Sequence, residues 1–187
     1  MRYVRATILG VAVLLLSSLA VTVLPPVHWV GFALVPPDGS VSEVVRRRED
    51  LVISQYFIRG NSADLKSFSP TEQAHLADVR ALLGWVLAAG LVSAVAAVFL
   101  APRRSDLEPA LIGLLGLGLG TLMVFPVAFE RFHQLFFAAG APWYLPADQF
   151  LLTQLYPFQF FAAMWLVIVL MAALLLLTVR RFLTSEQ

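Results

Sequence analysis

Four long apolar stretches separated by polar segments dominate the pattern of this chain. They cover about residues 6–24, 79–101, 110–129 and 158–179, and each ends at proline or at charged residues. A bilayer core about 30 Å thick is crossed by a helix of roughly 20 apolar residues. The pattern therefore predicts four transmembrane helices. The first is interpreted as retained, because it is long enough to span and ends at Pro25 and Pro26 rather than at a small-residue cleavage site.

The composition agrees with this pattern. Hydrophobic residues make up 59% of the chain and charged residues only 13%, whereas charged residues are about a quarter of a typical soluble domain. We predict an all-α polytopic membrane protein with one integral membrane domain over residues 1–187. It would be a four-helix transmembrane bundle with helical extracytoplasmic loops at residues 25–78 and 130–157. The short connection over residues 102–109 favours antiparallel neighbours.

The distribution of arginine predicts an orientation. Three arginine pairs fall on one side of the predicted bundle, and the cytoplasmic side of membrane proteins is enriched in Lys and Arg. The pairs are Arg2 with Arg5, Arg103 with Arg104, and Arg180 with Arg181. Both termini are therefore expected in the cytoplasm, with the two long loops outside. The second of these loops is dense in aromatic residues, which favour the headgroup level.

The first outer loop contains two predicted helices. Residues 69–72 (Ser-Pro-Thr-Glu) combine an N-cap serine, a first-turn proline and a glutamate at the third position, so a helix should run unbroken from there into the second span. Residues 41–57 mix apolar and charged side chains, as in a helix at the membrane interface or a solvated helix. Two i,i+4 charge pairs lie within it, Glu43 with Arg47 and Arg46 with Asp50.

Several kinds of chemistry are disfavoured by the sequence. The chain has no cysteine, which excludes thiol nucleophiles and thiolate metal sites. Its formal charge is +1, so no basic field indicates nucleic acid as a partner. No Gly-x-Ser-x-Gly motif indicates a serine nucleophile, and no ligand spacing indicates a metal. We therefore expect neither a cofactor nor a metal ion.

Two clusters of ionisable residues lie on the predicted outer side. One consists of Glu72, His75 and Asp78, and the other of Glu130, Arg131, His133 and Gln134. Histidine exchanges protons near neutral pH, and a neighbouring carboxylate can orient its ring. The two histidines could share acid–base work, or each could satisfy hydrogen bonds at a helix end. His28 lies beside Trp29 without an acidic neighbour in sequence, and is interpreted as interfacial structure.

The stretches that carry these histidines resemble the bacterial lipoprotein intramolecular transacylase family. The similar segments are residues 68–79 (FSPTEQAHLADV), residues 132–137 (FHQLFF), residues 156–161 (YPFQFF), Trp143, Pro146 and Asp148. The layout of four spans with a large first outer loop is also similar. The resemblance therefore extends over nearly the whole chain.

The resemblance implies an acyltransferase acting on diacylated bacterial lipoproteins within membrane lipid. An acyl chain would move from the diacylglyceryl group to the α-amino group of the N-terminal cysteine, giving the lyso form. One of His75 and His133 would accept the amine proton, while the other, or Arg131, would stabilise the oxyanion and protonate the glycerol oxygen. Glu72 or Asp78 would orient His75, and Glu130 could serve His133. Substrate contacts would come from Trp143, Asp148 and Tyr156, with Asp148 a candidate for binding the ammonium group.

Three other functions compete with this one. A lipid-acting membrane hydrolase would use histidine-activated water. A non-enzymatic membrane scaffold or regulator would bind a partner through its aromatic outer face. A small transporter is the weakest of the three, because the centres of the predicted spans contain no charged residues.

Overall fold

The computed structural model describes residues 1–39, 41–137, 145–146 and 148–182, and its described regular elements are all helical. Eight α-helices are present in this part of the chain, together with short 3-10 turns at Ser62–Asp64 and Arg104–Asp106. The α-helices are α1 (Arg2–Val23), α2 (Pro25–Leu34), α3 (Glu43–Arg59), α4 (Pro70–Leu100), α5 (Leu107–Met123), α6 (Phe125–Phe136), α7 (Leu151–Leu155) and α8 (Phe158–Phe182).

Among the described residues, four helical segments are long and apolar enough to cross a membrane. They are Arg2–Val23, Pro70–Leu100, Arg104–Met123 and Phe158–Arg181. The outward faces of these helices expose large apolar side chains, among them Val92, Phe99, Ile112, Leu117 and Leu174. Such faces are stable in lipid and would be a liability in water. The chain is a multi-pass membrane protein, and the predicted all-α class with four spans is confirmed.

The predicted start of α4 is also confirmed. The backbone N–H of Ser69 donates to Glu72 Oε2 at 2.7 Å, and the N–H of Glu72 donates to Ser69 Oγ at 3.3 Å. These reciprocal bonds form a capping box, which satisfies N–H groups that the first turn of a helix leaves free. The helix continues without a break from Pro70 to Leu100.

The predicted end of the third span, at residue 129, is wrong. Helix α5 ends at Met123, and Val124 leaves helical geometry with φ −116° and ψ 28°. Pro126 has no N–H to donate, and its ring would clash with the preceding turn of a continuing helix. The chain therefore starts a new helix, α6, at Phe125. His133 lies on this separate short helix rather than at the end of a span.

The residues fall into two compact units. The first consists of residues 1–20, 84–124 and 165–187. Its described core contains residues of α1, α4, α5 and α8, such as Leu9, Ala97, Leu114 and Leu176. Gly118 of α5 permits close packing, because a Cβ there would lie 2.6 Å from Val169. At one end, Arg5 forms an ion pair of 2.7 Å with the fully buried Asp106. The single domain predicted from the sequence stays a prediction.

The second unit consists of residues 21–83 and 125–164, and contains all three histidines. Helix α2 packs closely on the start of α8, because a Cβ at Gly31 would lie 2.9 Å from the Phe160 ring. On α3 the Glu43 and Arg47 side chains form the predicted i,i+4 ion pair on the exposed face. Arg46 and Asp50, the other predicted i,i+4 pair, are by contrast fully buried, and each takes other partners in the interior of this unit.

Candidate active site

The two histidines of the predicted clusters lie together in the second unit. His75 is on the second turn of α4 and His133 is near the end of α6. Their ring centroids are 6.3 Å apart and the ring planes differ by only 18°. Phe137 lies against both rings, with centroid distances of 5.4 Å to His75 and 5.3 Å to His133. Residues 58 positions apart thus form one aromatic-walled histidine pair.

The position of His133 is fixed by its own helix. Its Nδ1 lies 2.7 Å from the carbonyl oxygen of Phe129, one turn earlier. A carbonyl oxygen can only accept, so Nδ1 carries the proton in this bond. Burial lowers the pKa of His133, while the hydrogen bond to Phe129 opposes that shift. The neutral ring therefore has its proton on Nδ1 and a lone pair on Nε2, which is the form of a general base.

His75 is less constrained. The ring is half-buried, and its Nδ1 is buried without a hydrogen-bond partner among the described residues. Buried polar atoms of side chains are normally paired, and exceptions are frequent at sites that bind or react. An imidazole without a fixed tautomer can either donate or accept a proton. His75 thus complements His133, whose tautomer is set by the backbone.

The prediction that Glu72 orients His75 is wrong. Both carboxylate oxygens of Glu72 accept from backbone N–H groups, Oε2 from Ser69 and Oε1 from Leu152, each at 2.7 Å. Glu72 is buried and joins the start of α4 to the start of α7. The carboxylate of Glu72 therefore serves the N-terminal cap of α4, whereas the sequence spacing assigned it to His75. Asp78 is exposed and stays a candidate for orienting His75.

The other predicted cluster is divided between two faces of α6. Glu130 is exposed and accepts from Gln134 at 2.9 Å, and the exposed Arg131 donates to the same glutamine at 2.9 Å. Since His133 Nδ1 bonds to a backbone carbonyl, Glu130 does not fix its tautomer. Arg131 is two residues from His133, or about 200° around the helix. This geometry disfavours Arg131 as the group that stabilises an oxyanion beside His133.

The predicted substrate-binding residues have different outcomes. Trp143 lies outside the described residues. Asp148 is exposed, and its predicted role stays a prediction. Tyr156 is buried, and its hydroxyl donates to Asp50 Oδ1 at 2.7 Å. Burial and the charge of Asp50 raise the pKa of Tyr156 well above its usual value, so the phenol keeps its proton. Tyr156 is an interior hydrogen-bond donor rather than a substrate contact.

His28 is buried and has an acidic partner although it has no acidic neighbour in sequence, and its interpretation as interfacial structure stays a prediction. Its Nδ1 lies 2.6 Å from Asp50 Oδ1, and its Nε2 lies 2.6 Å from the carbonyl oxygen of Val21. In a continuous helix that carbonyl would accept from the N–H of residue 25, but Pro25 has none. His28 supplies the missing donor. The sequence signal was present in the Pro25–Pro26 break, whereas Asp50 is 22 residues away and could not be paired from spacing.

Arg46 is the second interior charge that sequence reasoning missed. Its Nε donates to the carbonyl of Leu155 and its Nη1 to the carbonyl of Val35, each at 2.6 Å. These carbonyls lie at the C-terminal ends of α7 and α2, where helices leave carbonyl groups without intrahelical donors. The guanidinium also lies 3.9 Å from the centre of the Phe32 ring, which adds a cation–π contact. Arg46 therefore holds two helix ends together.

The described residues contain no group of three His, Cys, Asp or Glu side chains that could hold a metal ion. The His75–His133 pair can instead exchange protons with a substrate, because one ring has a fixed acceptor nitrogen and the other has no fixed tautomer. Acid–base chemistry on a group bound against Phe137 is the chemistry that this arrangement favours.

Comparison with known proteins gives one family and one fold. A family model described as lipoprotein intramolecular transacylase Lit matches residues 46–161. A search of curated proteins gives no significant match. The fold is similar to the in meso structure of the membrane integral lipoprotein intramolecular transacylase Lit from Bacillus cereus, with a TM-score of 0.79 and 16% identity over 97% of this chain and 93% of that one. A variant of that protein with one histidine replaced by arginine has a TM-score of 0.71 at 16% identity, over 97% and 89% of the two chains.

Proposed function

This chain belongs to the lipoprotein intramolecular transacylase Lit family, and from that premise we propose that it transfers an acyl chain within a bacterial lipoprotein. The donor is an ester of the S-diacylglyceryl group, and the acceptor is the α-amino group of the N-terminal cysteine. The products are an N-acylated cysteine and a free glycerol hydroxyl. The observation that carries the proposal is the pairing of His75 and His133, with His133 held in the tautomer that leaves Nε2 as a base.

The chemistry requires a neutral amine, and an α-amino group with a pKa near 8 is mostly protonated at neutral pH. In the proposed step, His133 Nε2 accepts a proton from the amine as its nitrogen attacks the ester carbonyl carbon. The tetrahedral intermediate then loses the glycerol oxygen, which receives an N–H proton from neutral His75 while the other nitrogen of His75 takes the proton held by His133. Both histidines are neutral again at the end of the step. The amide bond replaces the ester bond, and no other reactant is consumed.

An acyl-enzyme is unnecessary in this scheme. Donor and acceptor are in one molecule, and well-oriented intramolecular partners can have effective molarities of about 10⁵ M or more. The protein then has to hold the two groups in register, move protons and exclude water. The apolar walls formed by Phe129 and Phe137 support the exclusion of water.

We also propose that both termini are cytoplasmic and that the histidine pair faces the extracytoplasmic side. Arg5 bonds to Asp106, and Arg2 donates to the carbonyl of Ser105, so the N-terminus and the loop before α5 lie at the same end of the first unit. Both are arginine-rich, and the positive-inside preference assigns such an end to the cytoplasm.

Mass spectrometry of the N-terminal peptide of a diacylated lipoprotein tests the proposal. The lipoprotein is incubated in membranes with and without this protein. Movement of one acyl chain from glycerol to the amine, at unchanged total mass, is the expected result. A mass lower by one acyl group would indicate the hydrolase, and an unchanged peptide would favour the scaffold.

A further inference from the structure

Asp50 is the centre of a buried network that none of the proposed chemistry uses. Its Oδ1 is 2.6 Å from His28 Nδ1 and 2.7 Å from the hydroxyl of Tyr156. His28, Asp50 and Tyr156, here called the Asp50 network, are all buried. They belong to α2, to α3 and to the junction between α7 and α8. One carboxylate thus ties together three segments of the second unit.

The charges in this network follow from its hydrogen bonds. The carbonyl of Val21 can only accept, and so can the carboxylate of Asp50 in its ionised form, so both ring nitrogens of His28 are placed to donate. With Asp50 ionised, the network is an imidazolium–carboxylate pair with a phenol as second donor. Breaking such a pair is costly, because removing one partner leaves the other charge buried without compensation. The position of Tyr156 is consequently fixed by charge as well as by packing.

A short path of ring contacts leads from Tyr156 to His133. Pro157 follows Tyr156, and α8 begins at Phe158. The rings of Phe158 and Phe161, on the first turn of α8, each lie 5.3 Å from the ring of Phe129. The Phe129 ring lies 4.2 Å from the ring of His133, and the Phe129 carbonyl accepts from His133 Nδ1. Phe129 therefore contacts both the first turn of α8 and the proposed base.

We propose that Asp50 is a positioning residue for His133, acting through Tyr156, the first turn of α8 and Phe129. The inference rests on the proposed function, in which His133 is the base. Asp50 touches neither the substrate nor the reacting atoms. Its contribution is to hold the segment that packs on Phe129, so that His133 keeps its proton on Nδ1 and presents Nε2 to the amine.

The first experiment removes one oxygen from the network. Tyr156→Phe keeps the ring and its packing but deletes the donor to Asp50. Tyr56→Phe is the matched control, because Tyr56 is also buried, lies on α3, and its hydroxyl makes no hydrogen bond with the described residues. We expect kcat of the acyl transfer to fall about tenfold in Tyr156→Phe with KM unchanged, since small displacements of a catalytic group have large effects on rate. Tyr56→Phe should match the wild type.

Ring-15N histidine NMR separates positioning from a general loss of stability. The chain has only three histidines, so each ring can be assigned by substitution. In the wild type, His28 should show two protonated nitrogens and His133 a single tautomer with the proton on Nδ1. Tyr156→Phe should convert His133 to a mixture of tautomers at temperatures where the protein stays folded. A fall in kcat with an unchanged His133 signal would overturn the proposal, as would unchanged kcat.

A second variant, with a larger expected effect, tests the same link in case Tyr156→Phe changes too little to measure. Asp50→Asn retains the size of the side chain but removes the charge that pairs with His28. We expect a larger change in the His133 signal than in Tyr156→Phe. The NMR readout does not depend on the reaction, so it still tests the link from Asp50 to His133 if His133→Ala proves active and the proposed function fails.

Discussion

The second unit contains two kinds of histidine environment, and the difference between them separates support from chemistry. His28 is clamped, because both of its ring nitrogens bond to acceptors, Asp50 and the carbonyl of Val21. His75 is the opposite, with its buried Nδ1 unpartnered among the described residues. His133 lies between them, with Nδ1 held by the backbone. A histidine whose nitrogens are both committed stabilises a fold, whereas a ring such as that of His75, with a nitrogen unpartnered among the described residues, can move protons.

The largest effect is expected on the rate of N-acylation when His75 or His133 is replaced. His133→Ala and His75→Ala should each lower the rate of N-acylation by about 10²–10⁴-fold, the usual contribution of a general acid or base. Gln134→Ala, which changes an exposed neighbour of His133, serves as the control. Mass spectrometry of the lipoprotein peptide gives the rate, and immunoblotting gives the amount of membrane-inserted protein. Either histidine variant with a rate within about twofold of wild type would lose its proposed role.

The free energy of unfolding should depend more on the His28 environment than on His75, which is the reverse of the order expected for activity. Asp50→Ala leaves the His28 imidazolium and the hydroxyl of Tyr156 buried without their acceptor, at a cost of about 3–5 kcal/mol in the free energy of unfolding. His75→Ala removes a half-buried ring that makes no hydrogen bond with the described residues, and it should cost far less. Denaturation of the detergent-solubilised protein measures both. Equal losses in the free energy of unfolding for Asp50→Ala and His75→Ala would show that the environments of His28 and His75 do not differ in this way.

The pH dependence of the reaction sharpens the role of His133. Neutral His133 and a neutral amine are both needed, so the rate should rise tenfold per pH unit up to about pH 8, where the amine has lost its proton. Burial lowers the pKa of His133. The second proton requirement therefore becomes visible only below the usual histidine pKa of about 6.5, where the slope should increase to a hundredfold per unit. A steeper slope already present above pH 7 would contradict the assignment.

The smallest effect is expected at the exposed ion pair of α3. Glu43 and Arg47 are 2.9 Å apart, with about half of each side chain exposed. Exposed pairs contribute about 0–1 kcal/mol, so Glu43→Gln should change the free energy of unfolding by less than about 0.5 kcal/mol. The same denaturation assay measures this variant beside Asp50→Ala. A cost similar to that of Asp50→Ala would show that burial does not distinguish the two charges of this helix.

Local signals predicted much of the fold. The apolar lengths gave the four spans, and the Ser69–Glu72 capping box gave the start of α4, because both depend on neighbouring residues. The break at Val124 was missed, although Pro126 was visible, because the apolar pattern runs through it without interruption.

The site was harder to predict, because its contacts are distant in sequence. His75 and His133 were found as residue types suited to proton transfer, but the partners of Glu72 and Asp50 were not. Glu72 bonds to the backbone of Leu152, 80 residues away, and Asp50 to Tyr156, 106 residues away. Neither helical periodicity nor spacing contains this information. Glu72 and Asp50, for which the sequence spacing predicted local partners, instead accept hydrogen bonds from residues that are distant in sequence.

The interior charges of α3 also have a consequence for the order of biosynthesis. Arg46 and Asp50 take partners from residues 155 and 156, which are synthesised more than 100 residues later, at separations of 109 and 106 residues. Until then, Arg46 has only the carbonyl of Val35 and Asp50 has only His28, so burying either side chain is less favourable than in the complete fold. We therefore expect α3 to stay hydrated until residues 155 and 156 have been synthesised. With the positioning role proposed for Asp50, the base on α6 would reach its working position only after that.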